Sequence, residues 1–309
     1  MRDIVITEFM DEAAIGLLKA RYETLYDPGL VDRPEELGRA VADARALIVR
    51  NRTQIRGALL DAAGKLSCVG RLGVGLDNID VDACKARGIA VYPATGANDL
   101  SVAEYVISAA MTLLRGAYSA SADVAAGKWP RQTLIGRELA GKTMGLVGLG
   151  SIAREVAWRA QAFGMQVAAY DPMLLASDPA WQLARNVSLD GLLAISDVIS
   201  LHVPLTEATR RMIGTAQIAA MKPGAILINA ARGGVVDEEA LAHALRTRAI
   251  GGAALDVFET EPLTAEAGEK FADLDNLILT PHIAGVTVES NVRVSDLIAQ
   301  TVLAHLEKA

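Results

Sequence analysis

Short apolar runs rich in valine, isoleucine, leucine and alanine alternate with amphipathic segments along most of the chain. This alternation is typical of βαβ units, in which parallel strands form one sheet and the intervening helices cover its faces. From Lys142 onward the runs are almost continuously apolar, which indicates strands that are buried on both faces. The alternation therefore predicts an α/β protein built on parallel sheets.

The apolar runs fall into two series. A long helical segment, NDLSVAEYVISAAMTLLRGAY, separates them, and Asn98 or Asp99 is its predicted cap. The last helical segment, TVESNVRVSDLIAQTVLAHLEKA, follows the second series and is expected to pack back on the first domain. The predicted strands are DIVITEF, ALIVRN, LSCVGRL and IAVYPA in the first series, and KTMGLVGLG, MQVAAYD, DVISLHVP, GAILINAA, GGAALDVF and NLILTPH in the second.

Composition excludes several classes of protein. The net charge is −7, from 30 basic and 37 acidic residues, and there is no basic block, which argues against a nucleic-acid partner. No apolar run approaches the ~18 residues of a membrane span, and acids in the N-terminal segment argue against export. Cys68 and Cys84 lie outside any CxxC pattern, so we expect reduced core thiols in a cytoplasmic protein. The four histidines show no zinc-ligand spacing, and no metal is expected.

The segment GLVGLGSIAREVAWRAQAFG predicts a dinucleotide site. Gly148, Gly150 and Ala153 fit the pattern G-x-G-x-x-G/A between a strand and a helix, where backbone N–H groups can hold a pyrophosphate. A glycine triplet alone could be only a tight turn. Here the next strand ends in Asp171, in the place of a carboxylate that binds ribose hydroxyls. Pro172 follows with no arginine nearby for a 2′-phosphate, so NAD is favoured over NADP.

Further residues of unusual chemistry follow the strands of the second series. They are His202-Val203-Pro204, Arg232, Asp256, Glu261 and His282. Ligands of such sheets bind beyond the carboxyl ends of the strands. A nicotinamide enzyme that acts on a 2-hydroxy acid needs a cation for the substrate carboxylate and an acid/base that titrates near neutrality.

Arg232 and His282 suit these two tasks. A guanidinium can grip a carboxylate with two parallel hydrogen bonds, and imidazole exchanges protons near pH 7. Glu261 is expected to orient the His282 ring and favour its charged form. The alternatives are structural: Arg232 could pair with Asp237 or Glu238, and His282 could be a core or capping residue. His243 and His305 are expected on the surface.

Taken together, the motifs resemble the D-isomer-specific 2-hydroxyacid dehydrogenases, in particular their 3-phosphoglycerate dehydrogenase branch. The resemblance implies two Rossmann-like or flavodoxin-like domains with parallel sheets, residues 1–98 and 286–309 binding substrate and residues 99–285 binding NAD. It also implies a homodimer. The motifs that carry it are IVRNRT, VGRLGVGLDNID, GANDLSVAEYV, ELAGKTMGLVGLGSIAREVA, HVPLT, MKPGAILINAARGGVVDEEAL, ALDVFETEPL and LTPHIAG.

The resemblance also implies roles for individual residues. Arg232, Glu261 and His282 would be the catalytic residues, and Asp256 would touch the nicotinamide carboxamide. The loop from Leu72 to Leu76 would offer N–H groups to the substrate carboxylate. The implied cofactor contacts are Val102, Gly148, Gly150, Ser151, Ile152, Asp171, His202, Val203, Pro204, Thr209, Ala230 and Asp256; the implied substrate contacts are Arg50, Asn51, Arg71, Val74 and Gly75.

Two arginines narrow the range of possible substrates. In phosphoglycerate dehydrogenases the arginines that match Arg50 and Arg71 hold the substrate's phosphate, so an anion at C3 is implied. The segments Arg50-Asn51-Arg52 and YPATGAND resemble the sulfolactate dehydrogenases, in which these arginines would clamp a sulfonate. A hydroxypyruvate or glyoxylate reductase, or another 2-keto acid reductase, is an alternative. A corepressor-like protein that senses NAD(H) is an alternative of another class, and the Glu261–His282 pair argues against a formate dehydrogenase.

Overall fold

The computed structural model describes residues 2–308 and divides the chain into two compact units. Unit 1 consists of Met1–Asn98 and Val286–Ala309, and unit 2 consists of Asp99–Gly285. Each unit contains one sheet, and every strand pairing in both sheets is parallel. The prediction of an α/β fold with two parallel sheets is confirmed.

Unit 1 is built on a five-stranded sheet with the strand order β2-β1-β3-β4-β5. Both faces of the sheet are covered by apolar side chains of the flanking helices. Its strands are β1 (Ile4–Ile6), β2 (Thr24–Tyr26), β3 (Ala46–Val49), β4 (Cys68–Arg71) and β5 (Ala90–Pro93); its helices are α1 (Glu12–Lys19), α2 (Pro34–Val41), α3 (Gly57–Ala62), α4 (Val81–Ala86) and α12 (Val288–Leu306).

The C-terminal helix α12 packs in the core of unit 1. Its apolar face, which includes Val294, Ile298 and Val302, joins α1 on one side of the sheet. Helices α2 and α3 cover the opposite side. The N-terminus of α12 is capped by the Thr287 hydroxyl, which accepts a hydrogen bond from the Ser290 N–H.

Unit 2 is built on a seven-stranded sheet with the order β12-β11-β10-β9-β6-β7-β8. The reversal of strand order between β6 and β9 creates a crevice at the carboxyl ends of these two strands, where ligands of such sheets bind. Its strands are β6 (Thr143–Val147), β7 (Gln166–Tyr170), β8 (Arg185–Asn186), β9 (Val198–Leu201), β10 (Ile226–Asn229), β11 (Gly252–Leu255) and β12 (Leu277–Leu279); its helices are α5 (Asp99–Arg115), α6 (Ser121–Ala125), α7 (Ser151–Ala162), α8 (Leu189–Ile195), α9 (Thr215–Ala219), α10 (Glu238–Arg246) and α11 (Ala265–Gly268).

Some details differ from the sequence-based expectations. Strands β2 and β8 are not among the predicted strands; both are sheet edges of two or three residues without fully buried side chains. His305 is not a surface residue, because its ring nitrogens lie 3.1 Å from the Tyr92 hydroxyl and 3.1 Å from the Ser67 hydroxyl. His243 is exposed, as expected. Within residues 2–308, no helix combines the length and apolar character needed to cross a bilayer.

Candidate active site

The predicted dinucleotide loop joins β6 to α7. Gly148 adopts φ +92°, and a Cβ there would lie 2.5 Å from the carbonyl oxygen of His202. Only glycine allows the loops after β6 and β9 to approach this closely. Gly150 precedes α7 without a side-chain cap, and a Cβ at this position would meet open space. In the described part of the chain, no side chain therefore caps the first N–H groups of α7 and competes there with an anion.

Asp171 lies beside this loop at the end of β7. Its carboxylate accepts hydrogen bonds from the N–H groups of Leu149, at 2.8 Å, and Met173, at 2.9 Å. These bonds fix the glycine loop and still leave carboxylate lone pairs for ribose hydroxyls. The neighbouring Ala153 is fully buried, so its methyl group packs α7 against the sheet. The glycine loop, the uncapped helix and Asp171 together fit NAD.

The segment after β9 forms the other side of the crevice. The Nε2 atom of His202 is buried and has no hydrogen-bond partner in the described part of the chain, although the residue as a whole is only partly buried. Burial lowers the pKa of His202 to about 4, so the ring is neutral at cellular pH. The Thr209 hydroxyl donates to the Pro204 carbonyl at 2.6 Å and accepts from the Thr206 N–H at 2.8 Å. Thr209 therefore fixes the turn that carries Val203 and Pro204.

Arg232 follows β10 in a turn whose backbone is held by the side chain of Asn229. The buried amide of Asn229 accepts from the Ala231 N–H at 3.1 Å and donates to the Arg232 carbonyl at 2.9 Å. The two carboxylates considered as structural partners of Arg232 contact other cations: Asp237 lies 3.8 Å from Arg211, and Glu238 lies 3.1 Å from Lys270.

Two glycines, Gly233 and Gly234, follow Arg232. A Cβ at Gly233 would lie 1.7 Å from the carbonyl oxygen of Phe258. The close neighbour is thus the loop that leads to Glu261. Gly234, at φ +79°, provides the left-handed turn.

His282 and Glu261 form a hydrogen-bonded pair. The His282 Nδ1 atom lies 2.7 Å from Glu261 Oε2, and the two side chains are 41% and 32% exposed. Since an ionised carboxylate can only accept, Nδ1 carries the proton and Nε2 is left to exchange one with a ligand. Burial alone would raise the pKa of Glu261. The hydrogen bonds from His282 and the Phe258 N–H, with the charges of His282 and Arg232, outweigh burial and lower that pKa.

Asp256 anchors the loop that carries His282. Its carboxylate is 1% exposed and accepts hydrogen bonds from the Thr280 hydroxyl at 2.6 Å and from the N–H groups of Ile283 and Ala284 at 2.8 Å each. His282 itself has φ +56°, a conformation that is uncommon for a residue with a side chain. A buried carboxylate at the end of β11 thus holds the Thr280 side chain before this residue and the backbone after it.

The implied substrate residues of unit 1 lie at the ends of β3 and β4. The Arg50 guanidinium donates to Asn291 Oδ1 at 2.7 Å, and Asn51 is exposed. Arg52 instead pairs with the exposed carboxylate of Asp32, which argues against its expected place in the clamp. The Arg71 guanidinium packs against Gly73, where a Cβ would lie 1.5 Å from Nη1.

The comparisons with known proteins agree with this geometry. The family model described as "D-isomer specific 2-hydroxyacid dehydrogenase, NAD binding domain" matches residues 107–284. An (S)-sulfolactate dehydrogenase of Chromohalobacter salexigens is 55% identical over 96% of this chain and 95% of its own length. A hydroxypyruvate reductase of Thermotoga maritima is 40% identical over 97% of both chains.

The chain belongs to the D-isomer-specific 2-hydroxyacid dehydrogenase family. It is an NAD-dependent oxidoreductase that acts on a CH–OH group. A solved structure of similar fold is the D-lactate dehydrogenase of Aquifex aeolicus in complex with NAD and lactic acid. Its TM-score is 0.84 and its sequence identity 30%, and the match covers 99% of this chain and 96% of that one.

Several residues around the site of this dehydrogenase were not among the sequence-based candidates. Some hold loops or other side chains in place through buried or partly buried side chains: Glu8, Asn78 and Asn291 in unit 1, and Asn229, Glu238 and Lys270 in unit 2. Glu8 could have been found from its place just after the first strand. The others contact residues that are distant in sequence, and no local pattern marks them.

Proposed function

We propose that this dehydrogenase oxidises a 2-hydroxy acid with a second anionic group at C3, and that (S)-3-sulfolactate is its preferred substrate. The observation that carries the proposal is the environment of Arg50. Its guanidinium is partly buried and contacts a neutral amide, and among residues 2–308 no carboxylate lies within ion-pair distance of it. A desolvated cation without a counter-ion favours an anionic ligand. The 55% identity to a sulfolactate dehydrogenase points to the same class of substrate.

Three residues of unit 2 are proposed to carry the chemistry. NAD, when bound, supplies the acceptor for the hydride from C2 of the substrate. The neutral Nε2 of His282 takes the hydroxyl proton, while Glu261 stabilises the imidazolium that forms. Arg232 holds the substrate carboxylate. It also contacts the oxygen at C2, and this contact becomes stronger as the hydroxyl is converted to a carbonyl group. In the reverse direction His282 returns the proton.

The stereochemical name of the substrate follows from its geometry. In 3-sulfolactate the carbon that carries sulfur outranks the carboxyl group in naming priority. The arrangement called D, or (R), in glycerate is therefore called (S) in sulfolactate, although the groups at C2 keep their positions. An enzyme of the D-specific family is expected to turn over the (S) isomer.

The test is NAD reduction by the purified enzyme with (S)- and (R)-3-sulfolactate, 3-phosphoglycerate, D-malate and D-glycerate in parallel. We expect the highest kcat/KM with (S)-3-sulfolactate. Because a phosphate monoester titrates near pH ~6 and a sulfonate stays ionised, the ratio of turnover with 3-phosphoglycerate to turnover with (S)-3-sulfolactate should fall below that pH. Equal or better turnover of D-glycerate, which has no anion at C3, would overturn the proposal.

A second candidate is reduction of hydroxypyruvate. It is favoured by the 40% identity to a hydroxypyruvate reductase over nearly the full length of both chains. The assay above separates the two candidates, since D-glycerate is the reduced form of hydroxypyruvate and differs from sulfolactate only in the group at C3.

We propose that the dehydrogenase is a homodimer assembled through unit 2. Unit 2 exposes large apolar side chains between α5 and α7, and Trp129 and Ile135 are each 75% exposed. Exposed apolar surface of this kind is typical of protein interfaces. Family members usually dimerise through the NAD domain, which supports a second copy as the partner. The exposed residues are Met111, Tyr118, Val124, Trp129, Ile135, Trp158 and Phe163.

We also propose a cytoplasmic location. Cys68 and Cys84 are buried and form no disulfide. Burial raises the pKa of Cys68 to about 12, more than Ser67 and Arg45 lower it, so this thiol stays protonated and unreactive. Free structural thiols are typical of proteins in a reducing compartment.

A further inference from the structure

The sheet of unit 1 has its own topological switch point. Strands β1 and β3 are neighbours, and the helices that follow them, α1 and α3, cover opposite faces of the sheet. The loops after these strands therefore separate at their carboxyl ends, which is where ligands of parallel sheets bind. Glu8 and Phe9 lie just after β1, and Arg50 directly follows β3.

Glu8 holds the loop after β3 in one conformation. Its carboxylate is buried and accepts hydrogen bonds from three backbone N–H groups: those of Arg50 at 2.9 Å, Arg52 at 3.1 Å and Thr53 at 3.1 Å. From the other side the Asn78 amide donates to the carbonyl groups of Arg50 at 3.2 Å and Thr53 at 2.7 Å. These five bonds leave the Arg50 backbone little freedom.

The guanidinium of Arg50 is oriented but its charge is not neutralised. It donates to Asn291 Oδ1 at 2.7 Å and lies 5.7 Å from the centre of the Phe9 ring. Burial lowers the pKa of Arg50, and the nearby Glu8 carboxylate opposes that shift. Glu8 nevertheless contacts the backbone rather than the guanidinium. Among residues 2–308, the one side-chain hydrogen-bond acceptor for this guanidinium is thus a neutral amide oxygen.

We propose that Glu8 and Asn291 are positioning residues that hold Arg50 as the ligand for the sulfonate or phosphate at C3 of the substrate. The inference rests on the proposed function, because it assumes that Arg50 meets this anion. Glu8 fixes the position of the arginine backbone. Asn291 orients the guanidinium and, being uncharged, leaves its positive charge for the substrate.

The decisive variant is N291D, which places a carboxylate on the guanidinium in the position of the amide. Asn291 is partly exposed at the start of α12, so the change leaves the core intact. The new carboxylate competes with the substrate anion for Arg50. We expect KM for (S)-3-sulfolactate to rise about tenfold or more, corresponding to a lost ion pair of about 1.4 kcal/mol. KM for D-glycerate and the kcat values with both substrates should stay near those of the wild type.

E8Q tests the other positioning residue. An amide in place of the carboxylate offers one acceptor instead of two and turns an NH₂ group toward a backbone N–H. The loop then shifts, and the ratio of kcat/KM for sulfolactate to that for D-glycerate should fall severalfold. If Glu8 had a purely structural role, E8Q would lower the melting temperature but leave this ratio unchanged.

The control for N291D is Q300E. Gln300 is exposed on the same helix as Asn291, so Q300E adds the same charge and should not change the ratio.

The outcomes separate this inference from the proposed function. R50Q should abolish the preference for sulfolactate; a wild-type enzyme without that preference, or an unchanged preference in R50Q, would overturn the proposed function. If R50Q loses the preference while N291D and E8Q both keep it, the role of Arg50 stands and the positioning role of Glu8 and Asn291 is wrong.

Discussion

At the scale of single residues, His282 has the clearest expected effect. H282A removes the group that takes the substrate's hydroxyl proton, so kcat for oxidation should fall about 10²–10⁴-fold. The affinity for NADH, measured by fluorescence titration, should be retained because the glycine loop and Asp171 are unchanged. H243A, which alters an exposed histidine of α10, is the control. Turnover near the wild-type rate in H282A would exclude the proposed proton transfer.

His202 predicts how the free enzyme responds to acid. The pKa of His202 is about 4 in the folded state, whereas an exposed histidine titrates near 6.5. Between these pH values the unfolded chain therefore binds a proton at this residue and the folded chain does not. The stability that this residue contributes is present above pH ~6.5 and is lost as the pH falls toward ~4, by at most about 3 kcal/mol.

H202N should remove this part of the acid destabilisation. The measurement is the free energy of unfolding in urea for the wild type and H202N at pH 7.5 and pH 4.5. Since the carboxylates titrate alike in both proteins, the difference between the two losses is due to His202. We expect the wild type to lose more of its free energy of unfolding between the two pH values. Parallel losses would mean that the buried ring accepts a proton in the folded state.

At the scale of elements, the loop after β12 depends on a carboxylate from β11. D256N replaces an acceptor of three hydrogen bonds with an amide, whose NH₂ group must face either the Ile283 N–H or the Ala284 N–H. Since hydrogen bonds to charged groups contribute about 1.5–3 kcal/mol, we expect D256N to lower the free energy of unfolding by that amount or more. kcat should fall as well, because His282 loses its support at φ +56°.

D275N is the matched control for this change. Asp275 is 76% exposed and pairs with Arg248 on the surface, a contact worth less than about 1 kcal/mol. Chemical denaturation of D256N and D275N compares the stability lost with a buried carboxylate to the stability lost with an exposed one. If D256N were no less stable than D275N, the three bonds would not hold the loop.

Most elements were predictable from the sequence because each strand is a compact apolar run. The predicted run ALIVRN contains β3, and GAILINAA contains β10. Strands β2 and β8 were missed because an edge strand of two or three residues buries too little to leave an apolar pattern. The position of each sheet's switch point was likewise not readable from local pattern, since it depends on strand order.

The residues of the site were predictable where they follow a strand and bear distinctive chemistry, as Arg232 and His282 do. Their supports were not, because the supporting contacts join distant parts of the chain. Arg50 and Asn291 are 241 positions apart, and Asp256 reaches Ala284 across 28 positions. His305 was misplaced for the same reason, since its surroundings exist only after α12 packs on unit 1.

At the scale of the whole molecule, the exposed apolar side chains of unit 2 require an explanation. Trp129, Ile135 and Trp158 are 75%, 75% and 67% exposed, and a monomer would leave them in water. A homodimer that buries them gains about 25 cal/mol for each Å² of apolar surface removed from water. The 32.5 kDa chain should therefore sediment at about twice that mass.

A charge placed in this surface should dissociate the dimer. I135E puts a carboxylate in the proposed interface, where it would be desolvated without a partner, so we expect a monomer in sedimentation equilibrium at micromolar concentration. V288E alters an equally exposed residue of unit 1, 79% exposed, and should remain dimeric. If wild type and I135E have the same mass, unit 2 does not dimerise through this surface. Because Arg232, Glu261 and His282 all lie within one unit 2, monomeric I135E should keep their hydrogen bonds and retain measurable turnover.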